Sequence, residues 1–311
     1  MYVITGATGN TGRPIAETLL QNGKKVRVIG RSLDRLQSLV DRGAEPFVAD
    51  TANRIALAQA FAGAEGVYLM MPPDASSHDY HADQEKMIAA IAHAVNAADV
   101  PYAVALSSVG ADKPTGTGPV VGLHELEQAL NRIPGLNALY LRAAYFMENL
   151  LAQVHVIAAM TSTAGAFHPD LQIPMIATRD ISAAAADALL RLDFEGHQAR
   201  ELLGQGDLSM NQATAIIGPA IGRPDLAYTT VAADQFKIAL THLGMSPNMA
   251  DLIAEMCAAM NSGHMRALEP RSPANTTPTS FETFVAEEFL PAWKAAINPA
   301  ARDAEETAKV E

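Results

Sequence analysis

The chain has 311 residues, of which 49% are hydrophobic, and its single cysteine excludes an intramolecular disulfide and a zinc site built from several cysteines. Its 22 Lys and Arg residues against 34 Asp and Glu residues give a formal net charge of -12, which excludes nucleic acid and anionic membranes as expected partners. No apolar run approaches the ~20 residues that a membrane-spanning helix needs. The first apolar run begins at the second residue, which leaves no room for a signal peptide and predicts a cytoplasmic location.

The first 150 residues alternate short apolar runs with amphipathic segments. Strands are predicted at YVIT, KVRVIG, EPFVAD, GVYLMM, YAVALSS and NALYLRA, with helices between them. These runs are almost continuously apolar, as expected for strands that are covered on both faces. The alternation predicts an α/β fold in which residues 1–150 form a Rossmann-type, doubly wound parallel sheet.

After residue 150 the alternation weakens. Residues 151–298 are predicted to form a smaller mixed α/β lobe that holds the substrate, with some segments returning to the sheet. Its final helix is predicted to begin after Ser280, a good N-cap residue. Residues 299–311 have no apolar face, and we expect them to form a disordered tail.

The stretch VITGATGNTG places three glycines, each three residues apart, between the first strand and the first helix. Gly6 permits a sharp turn, Gly9 lets the backbone approach a pyrophosphate, and Gly12 lets the helix pack closely on the sheet. The helix N-terminus offers N–H groups to phosphates. Three polar residues of the loop add side-chain donors: Thr8, Asn10 and Thr11. The loop therefore predicts a dinucleotide site, the alternative being a plain strand-to-helix turn.

The end of the second strand indicates which nicotinamide cofactor fits. A site for NAD usually carries an acidic residue about 20 residues beyond the glycine loop, where it binds the ribose hydroxyls. Here VIGRSLDRL places Gly30 and Arg31 at that position. An arginine can bind a 2′-phosphate, and a missing carboxylate removes a repulsion, so the pattern favours NADP(H). The alternative for Arg31 is a solvated charge at the start of a helix.

Further residues at the ends of strands are predicted to contact the cofactor. Asp50 ends the third strand, where it either lies near the adenine or caps the next helix. Met71 and Pro72 end the fourth strand and would line the middle of the cofactor, with core packing as the alternative for the methionine. Ser107 ends the fifth strand and is assigned to the same site.

Longer stretches resemble a branch of the short-chain dehydrogenase/reductase superfamily. The glycine spacing is typical of its extended and atypical branches, and the stretches LRAAYFMENLL and TRDISAAAADAL resemble the NmrA-like family. This resemblance covers nearly the whole chain. It implies either an NADPH-dependent reductase of quinones and related compounds or a nucleotide-sensing regulator without turnover.

The usual acid of that superfamily, a tyrosine with a lysine four residues later, is absent from this chain. None of the seven tyrosines is followed by such a lysine. His124, on the helix after the fifth strand, is one candidate proton donor, and its alternative role is pairing with Glu127 or Gln128.

The segment after the sixth strand is predicted to reach the reacting end of the cofactor. Tyr145 and Phe146 would wall the nicotinamide pocket, and Tyr145 is a second candidate donor; packing between the lobes is the alternative. Asn149 either faces the pocket or caps the next helix. Arg142 is predicted to form a structural ion pair.

The sequence thus predicts an NADP(H)-dependent oxidoreductase that passes hydride to a small apolar carbonyl compound such as a quinone. The alternative is a non-catalytic NADP(H)-sensing regulator that binds a protein partner. No metal site is predicted, because His78 and His81 lack a third ligand. The resemblance and the motifs leave open whether the chain forms a homodimer or binds another protein.

Overall fold

The computed structural model describes residues 1–298, so the tail predicted at 299–311 lies outside the described residues. Within them the strands are β1 (Tyr2–Ile4), β2 (Val26–Gly30), β3 (Glu45–Val48), β4 (Gly66–Leu69), β5 (Tyr102–Ser108), β6 (Asn137–Ala143), β7 (Tyr145–Phe146), β8 (Thr163–Gly165), β9 (Ile173–Ile176), β10 (His197–Leu202), β11 (Gly206–Leu208) and β12 (Tyr228–Thr230). The α-helices are α1 (Gly12–Gln21), α2 (Leu33–Val40), α3 (Arg54–Phe61), α4 (Tyr80–Ala97), α5 (Val121–Leu130), α6 (Gln153–Met160), α7 (Thr178–Arg191), α8 (Met210–Ala220), α9 (Ala233–His242), α10 (Pro247–Asn261), α11 (Phe281–Phe284) and α12 (Leu290–Ile297).

Seven strands form one parallel sheet in the order β10-β6-β5-β4-β1-β2-β3. The chain adds β2 and β3 on one side of β1 and then places β4, β5, β6 and β10 on the other side. The order therefore reverses between β1 and β4, and ligands of such sheets bind outside the carboxyl ends of the strands at this point. The predicted Rossmann-type, doubly wound α/β fold is confirmed.

Helices cover both faces of this sheet, which explains why the strands are apolar throughout. Along β1, successive side chains point to opposite faces. Tyr2 and Ile4 join a core that includes residues of α1 and α7, whereas Val3 joins a second core that includes residues of α3, α4 and α5. No helix in residues 1–298 has the length and apolar character required to cross a membrane.

The part of the chain after residue 150 is divided between the sheet and a smaller lobe. Helix α7 packs against α1, and β10 pairs with β6 along its whole length, so these two segments return to the first unit. The smaller lobe contains the sheet β11-β9-β7, the pair β12-β8 and a core that includes Phe284, Phe289 and Trp293. The cap predicted at Ser280 is confirmed, because its Oγ accepts a hydrogen bond from the Thr283 N–H at 3.0 Å.

Candidate active site

The glycine loop joins β1 to α1 in a conformation that only glycine tolerates at two positions. Gly6 has a φ of +60°, in the left-handed region that favours glycine. A Cβ on Gly12 would lie 2.3 Å from the carbonyl oxygen of Gly6, so α1 can begin this close to β1 only with glycine there. Among the described residues, the Thr11 side chain makes no capping bond to α1. The first turn of the helix is therefore open to an anion.

Buried hydrogen bonds hold this loop against β4. The Thr5 hydroxyl accepts from the Met70 N–H at 2.8 Å and lies 3.0 Å from the Tyr68 carbonyl oxygen. The Tyr68 hydroxyl donates to the Thr11 hydroxyl oxygen at 2.9 Å. Burial raises the pKa of Tyr68 above its ordinary value, which keeps it protonated as a donor. Thr11, predicted as a phosphate contact, thus also has a structural partner.

A mostly apolar cavity of about 830 Å³ opens beside the glycine loop, at the carboxyl ends of the strands. The smaller lobe closes it with a set of apolar side chains: Leu171, Ile173, Met256, Met260 and Met265. The cavity brings together seven of the predicted site residues: Gly9, Asn10, Thr11, Met71, Ser107, Tyr145 and Phe146. Asn149 also lines it. Thr8 and Pro72 are partly buried and do not line the cavity, but each is adjacent in sequence to a residue that does.

Arg31 and Asp50 lie outside the cavity, on the surface beyond the ends of β2 and β3. The Arg31 side chain is exposed. Asp74, in the loop after β4, has a carboxyl pKa below its usual range, mainly because of hydrogen bonds from Ser76, with a smaller contribution from the Arg31 charge. The Arg31 charge is therefore close enough to the loop after β4 to act on Asp74.

The helix-cap alternative for Asp50 is wrong. Its carboxylate accepts from the Ala52 N–H at 2.8 Å, within its own turn. The residue that caps α3 is Asn53, whose side chain accepts from the Ala56 N–H at 3.1 Å. The adenine contact of Asp50 stays a prediction.

His124 does not lie among the residues that line the cavity. Its Nδ1 atom lies 2.9 Å from the Ala111 carbonyl oxygen. Because a carbonyl oxygen only accepts, Nδ1 carries the hydrogen, and the ring ties α5 to the loop after β5. The alternative partner Glu127 binds Arg142 instead. This placement argues against the catalytic role that the sequence predicted for His124.

Tyr145 does lie in the cavity wall, where its ring packs edge-on against Phe167 with the centroids 5.5 Å apart. Burial is the main cause that raises the pKa of the Tyr145 hydroxyl above its ordinary value, and the nearby Cys257 and Tyr228 contribute less. The phenol is therefore protonated at neutral pH. Cys257, Tyr228 and Phe167 line a second, smaller cavity on the other side of Tyr145, so the hydroxyl lies toward that cavity and the ring forms the wall between the two.

A buried ionic network lies beside the cavity at the end of β5. The Glu127 carboxylate accepts from Arg142 Nε at 3.0 Å and from Arg142 Nη2 at 2.6 Å, so the predicted structural ion pair of Arg142 is confirmed. The Ser107 hydroxyl donates to the same carboxylate at 2.6 Å. Since its hydrogen is committed to Glu127, Ser107 can only accept a hydrogen bond from a ligand in the cavity.

A segment that the sequence did not indicate, residues 263–271, lines part of the cavity. It is held by Glu201 of β10, a buried carboxylate that accepts from the N–H groups of Leu268 at 2.9 Å and Glu269 at 3.0 Å. Arg271 anchors its far end through the Leu203 carbonyl oxygen, at 3.1 Å, and the Asp207 carboxylate. In the sequence, the only sign of the role of Glu201 is that a charged residue occurs inside a strand.

The two stretches LRAAYFMENLL and TRDISAAAADAL meet beside the glycine loop. Glu148 accepts from the backbone N–H of Thr178 at 2.7 Å and from its hydroxyl at 2.6 Å, which holds the start of α7. The Ser182 hydroxyl of the same helix lies 3.2 Å from the Thr11 carbonyl oxygen. These stretches therefore support the cofactor loop from behind. Residues 1–298 contain no group of three or more His, Cys, Asp or Glu side chains placed to hold a metal ion.

Comparison with known proteins agrees with this geometry. The sequence profile of the NmrA-like family matches residues 2–290. An NAD(P)H azoreductase of Xenophilus azovorans is 28% identical over 263 residues, which are 83% of this chain and 86% of that protein. Quinone oxidoreductase 2 of Escherichia coli strain K12 is 26% identical over 268 residues, 85% and 89% of the two chains. The crystal structure of an NADPH-dependent quinone oxidoreductase from Escherichia coli has a TM-score of 0.76 at 25% identity, covering 93% of this chain and 100% of that chain.

Proposed function

The chain belongs to the NmrA-like family, and from this premise we propose that it is an NADPH-dependent oxidoreductase that reduces a small apolar carbonyl compound such as a quinone. The observation that carries the proposal is the position of the glycine loop, which opens directly into a mostly apolar cavity of about 830 Å³. The relatives support it, since they include an NAD(P)H azoreductase and quinone oxidoreductase 2.

The residues present fit the cofactor. The cradle at Gly12, which a Cβ would fill, and the open first turn of α1 suit a pyrophosphate. Arg31 follows β2 directly, where an arginine could bind a 2′-phosphate, and no carboxylate takes its place there. When bound, NADPH supplies the hydride.

On the substrate side, the side chains of the chain orient a carbonyl group and exclude water. The methionines of the smaller lobe would pack against a flat apolar ring, and the Tyr145 and Phe146 side chains would form the wall beside it. A reduced quinone carries its negative charge on a delocalised oxygen, so it can leave the cavity unprotonated and take its proton from the solvent outside. This chemistry is compatible with the absence of a Tyr-x-x-x-Lys acid.

Arg31→Ala tests the cofactor assignment. We expect the dissociation constant for NADPH to rise about 10- to 100-fold, the value of the lost charge-assisted bonds, while that for NADH stays unchanged. Fluorescence titration of both cofactors measures this. Arg132→Ala is the matched control, because Arg132 is also exposed but lies between α5 and β6, before the amino end of β6 and away from the carboxyl ends of the strands. A wild-type preference for NADH, or an unchanged ratio in Arg31→Ala, would refute the assignment.

Turnover tests the activity itself. We expect the wild-type protein to oxidise NADPH with quinones and, more slowly, with aldehydes, because hydride transfer to an aldehyde forms a localised alkoxide that needs a proton donor in the transition state. Following NADPH absorbance against a panel of quinones, azo compounds and aldehydes measures this. Tight NADPH binding without oxidation by any of them would instead support the regulator, which the missing Tyr-x-x-x-Lys favours.

A further inference from the structure

Helix α4 presents two polar side chains to an otherwise apolar part of the cavity. Tyr80 and Gln84 are four residues apart, so they lie on one face of α4, and both line the cavity. Both are deeply buried, with Tyr80 4% exposed and Gln84 2% exposed. The neighbouring lining residues Val120 and Leu123 are apolar. The pair is therefore a polar site in surroundings that offer it little compensation.

The orientation of the Gln84 amide follows from its hydrogen bond to the turn before α5. Its Nε2 atom donates to the Pro119 carbonyl oxygen at 2.9 Å. Because that oxygen only accepts, the NH₂ group must face it, and this fixes which end of the amide is which. The Oε1 atom is then buried without a hydrogen-bond partner among residues 1–298. Folded proteins rarely leave a buried acceptor unpaired, since its lost hydration is not recovered.

Gly122, in the first turn of α5, makes room for this amide. A Cβ there would lie 2.3 Å from Cδ, 2.4 Å from Nε2 and 2.4 Å from Oε1 of Gln84. Three nearly equal distances mean that the amide plane lies flat against Gly122, so any side chain at this position would displace it. A glycine inside a helix lowers helix stability, and here it occurs where the amide needs space.

Tyr80 supplies the complementary group. Burial and, to a smaller extent, the negative charge of Asp74 raise the pKa of Tyr80 to about 12, and a hydrogen bond with the Gln84 side chain lowers it slightly. The phenol therefore keeps its hydrogen at physiological pH and is a donor. The pair offers one hydroxyl donor beside one carbonyl acceptor.

We propose that Tyr80 and Gln84 form a subsite for a ligand group that carries a hydrogen-bond acceptor next to a donor. The acceptor takes the Tyr80 hydroxyl hydrogen, and the donor bonds to Gln84 Oε1. A primary carboxamide has this pattern, and so does a carbonyl with a neighbouring hydroxyl. Two sources exist for it in this cavity: the nicotinamide carboxamide, which rests on the proposed function, or a hydroxy-substituted quinone, which narrows the substrate class of that function.

The test compares Gln84→Leu and Gly122→Ala with the control Gln128→Leu, which makes the same change at an exposed glutamine of α5. Each protein is titrated by calorimetry with NADPH and with the adenosine bisphosphate fragment of NADPH, which lacks nicotinamide. Each is also titrated with a hydroxynaphthoquinone and with the same naphthoquinone lacking the hydroxyl. Far-UV circular dichroism and thermal unfolding confirm that each variant is folded.

If the subsite exists, both variants should bind the ligand that occupies it roughly tenfold more weakly than the wild type does. The control should bind that ligand as tightly as the wild type. Loss for NADPH with the fragment unchanged identifies the carboxamide as the ligand group. Loss for the hydroxynaphthoquinone with the parent quinone unchanged identifies the substrate. If Gly122→Ala does not fold, Tyr80→Phe takes its place as the second variant.

Folded Gln84→Leu protein that binds all four probes as the wild type does would overturn the inference. The inference would also be overturned if the wild-type protein bound NADPH no more tightly than the adenosine bisphosphate fragment and bound the two quinones with equal affinity. These results are independent of turnover. Wild-type protein that binds the hydroxynaphthoquinone through Gln84 but never oxidises NADPH would remove the proposed function and keep the subsite.

Discussion

Gly12→Ala is expected to weaken NADPH binding about a hundredfold and to lower the free energy of unfolding by roughly 1–3 kcal/mol. The added Cβ would lie 2.3 Å from the Gly6 carbonyl oxygen, 2.7 Å from the Gly6 carbonyl carbon and 3.0 Å from the Thr5 carbonyl oxygen. All three atoms belong to the backbone, so no side chain can rotate away. Either α1 or the glycine loop must move, and both hold the proposed pyrophosphate site.

Two other glycines calibrate this result. At Gly9 a Cβ would lie 3.3 Å from the Gly6 carbonyl oxygen, so Gly9→Ala should have a smaller effect on stability than Gly12→Ala. At Gly206 no atom lies within 4 Å of the added Cβ, and Gly206→Ala should change stability by less than about 0.5 kcal/mol. Urea unfolding and fluorescence titration with NADPH measure the series. Wild-type NADPH affinity in Gly12→Ala would show that the phosphates bind elsewhere.

The glycine loop could be predicted because all its signals are contiguous in the chain. An apolar strand, spaced glycines and a helix start occur within residues 2–21, and the β-α alternation then indicates a parallel sheet with helices on both faces. Gly6 and Gly12 occupy the positions that their spacing implies. Local rules are sufficient where the partners of a residue are its neighbours in sequence.

The rest of the site is assembled from residues that are distant in sequence. Gln84 meets Pro119 and Gly122, and Glu201 meets Leu268, with no spacing rule to connect them. His124 is a further example, since the sequence predicts that it lies on the helix after the fifth strand but does not predict its partner. Its partner, the Ala111 carbonyl oxygen, depends on how the loop after β5 folds.

The Glu127–Arg142 pair is another long-range contact, and Arg142→Met is expected to lower the free energy of unfolding by about 3–5 kcal/mol. The side chains are only 4% and 15% exposed, and the carboxylate binds the guanidinium through two nitrogens. Its hydrogen bonds raise the pKa of Arg142 above an already high value, so the arginine is charged in the folded protein. Removing it leaves the Glu127 carboxylate buried with only the Ser107 hydroxyl as a donor from a neighbouring side chain.

The double variant Glu127→Leu/Arg142→Met separates the cost of a buried unpaired charge from the net contribution of the pair. Replacing both partners with apolar side chains removes the charge, so the double variant should be more stable than Arg142→Met alone. Urea unfolding of the wild type, both single variants and the double variant gives the coupling energy. A loss below about 1 kcal/mol in Arg142→Met would mean that water reaches the pair, as at exposed ion pairs. In that case the network could not hold Ser107 in one orientation at the cavity, and Ser107 would be free to donate to a ligand.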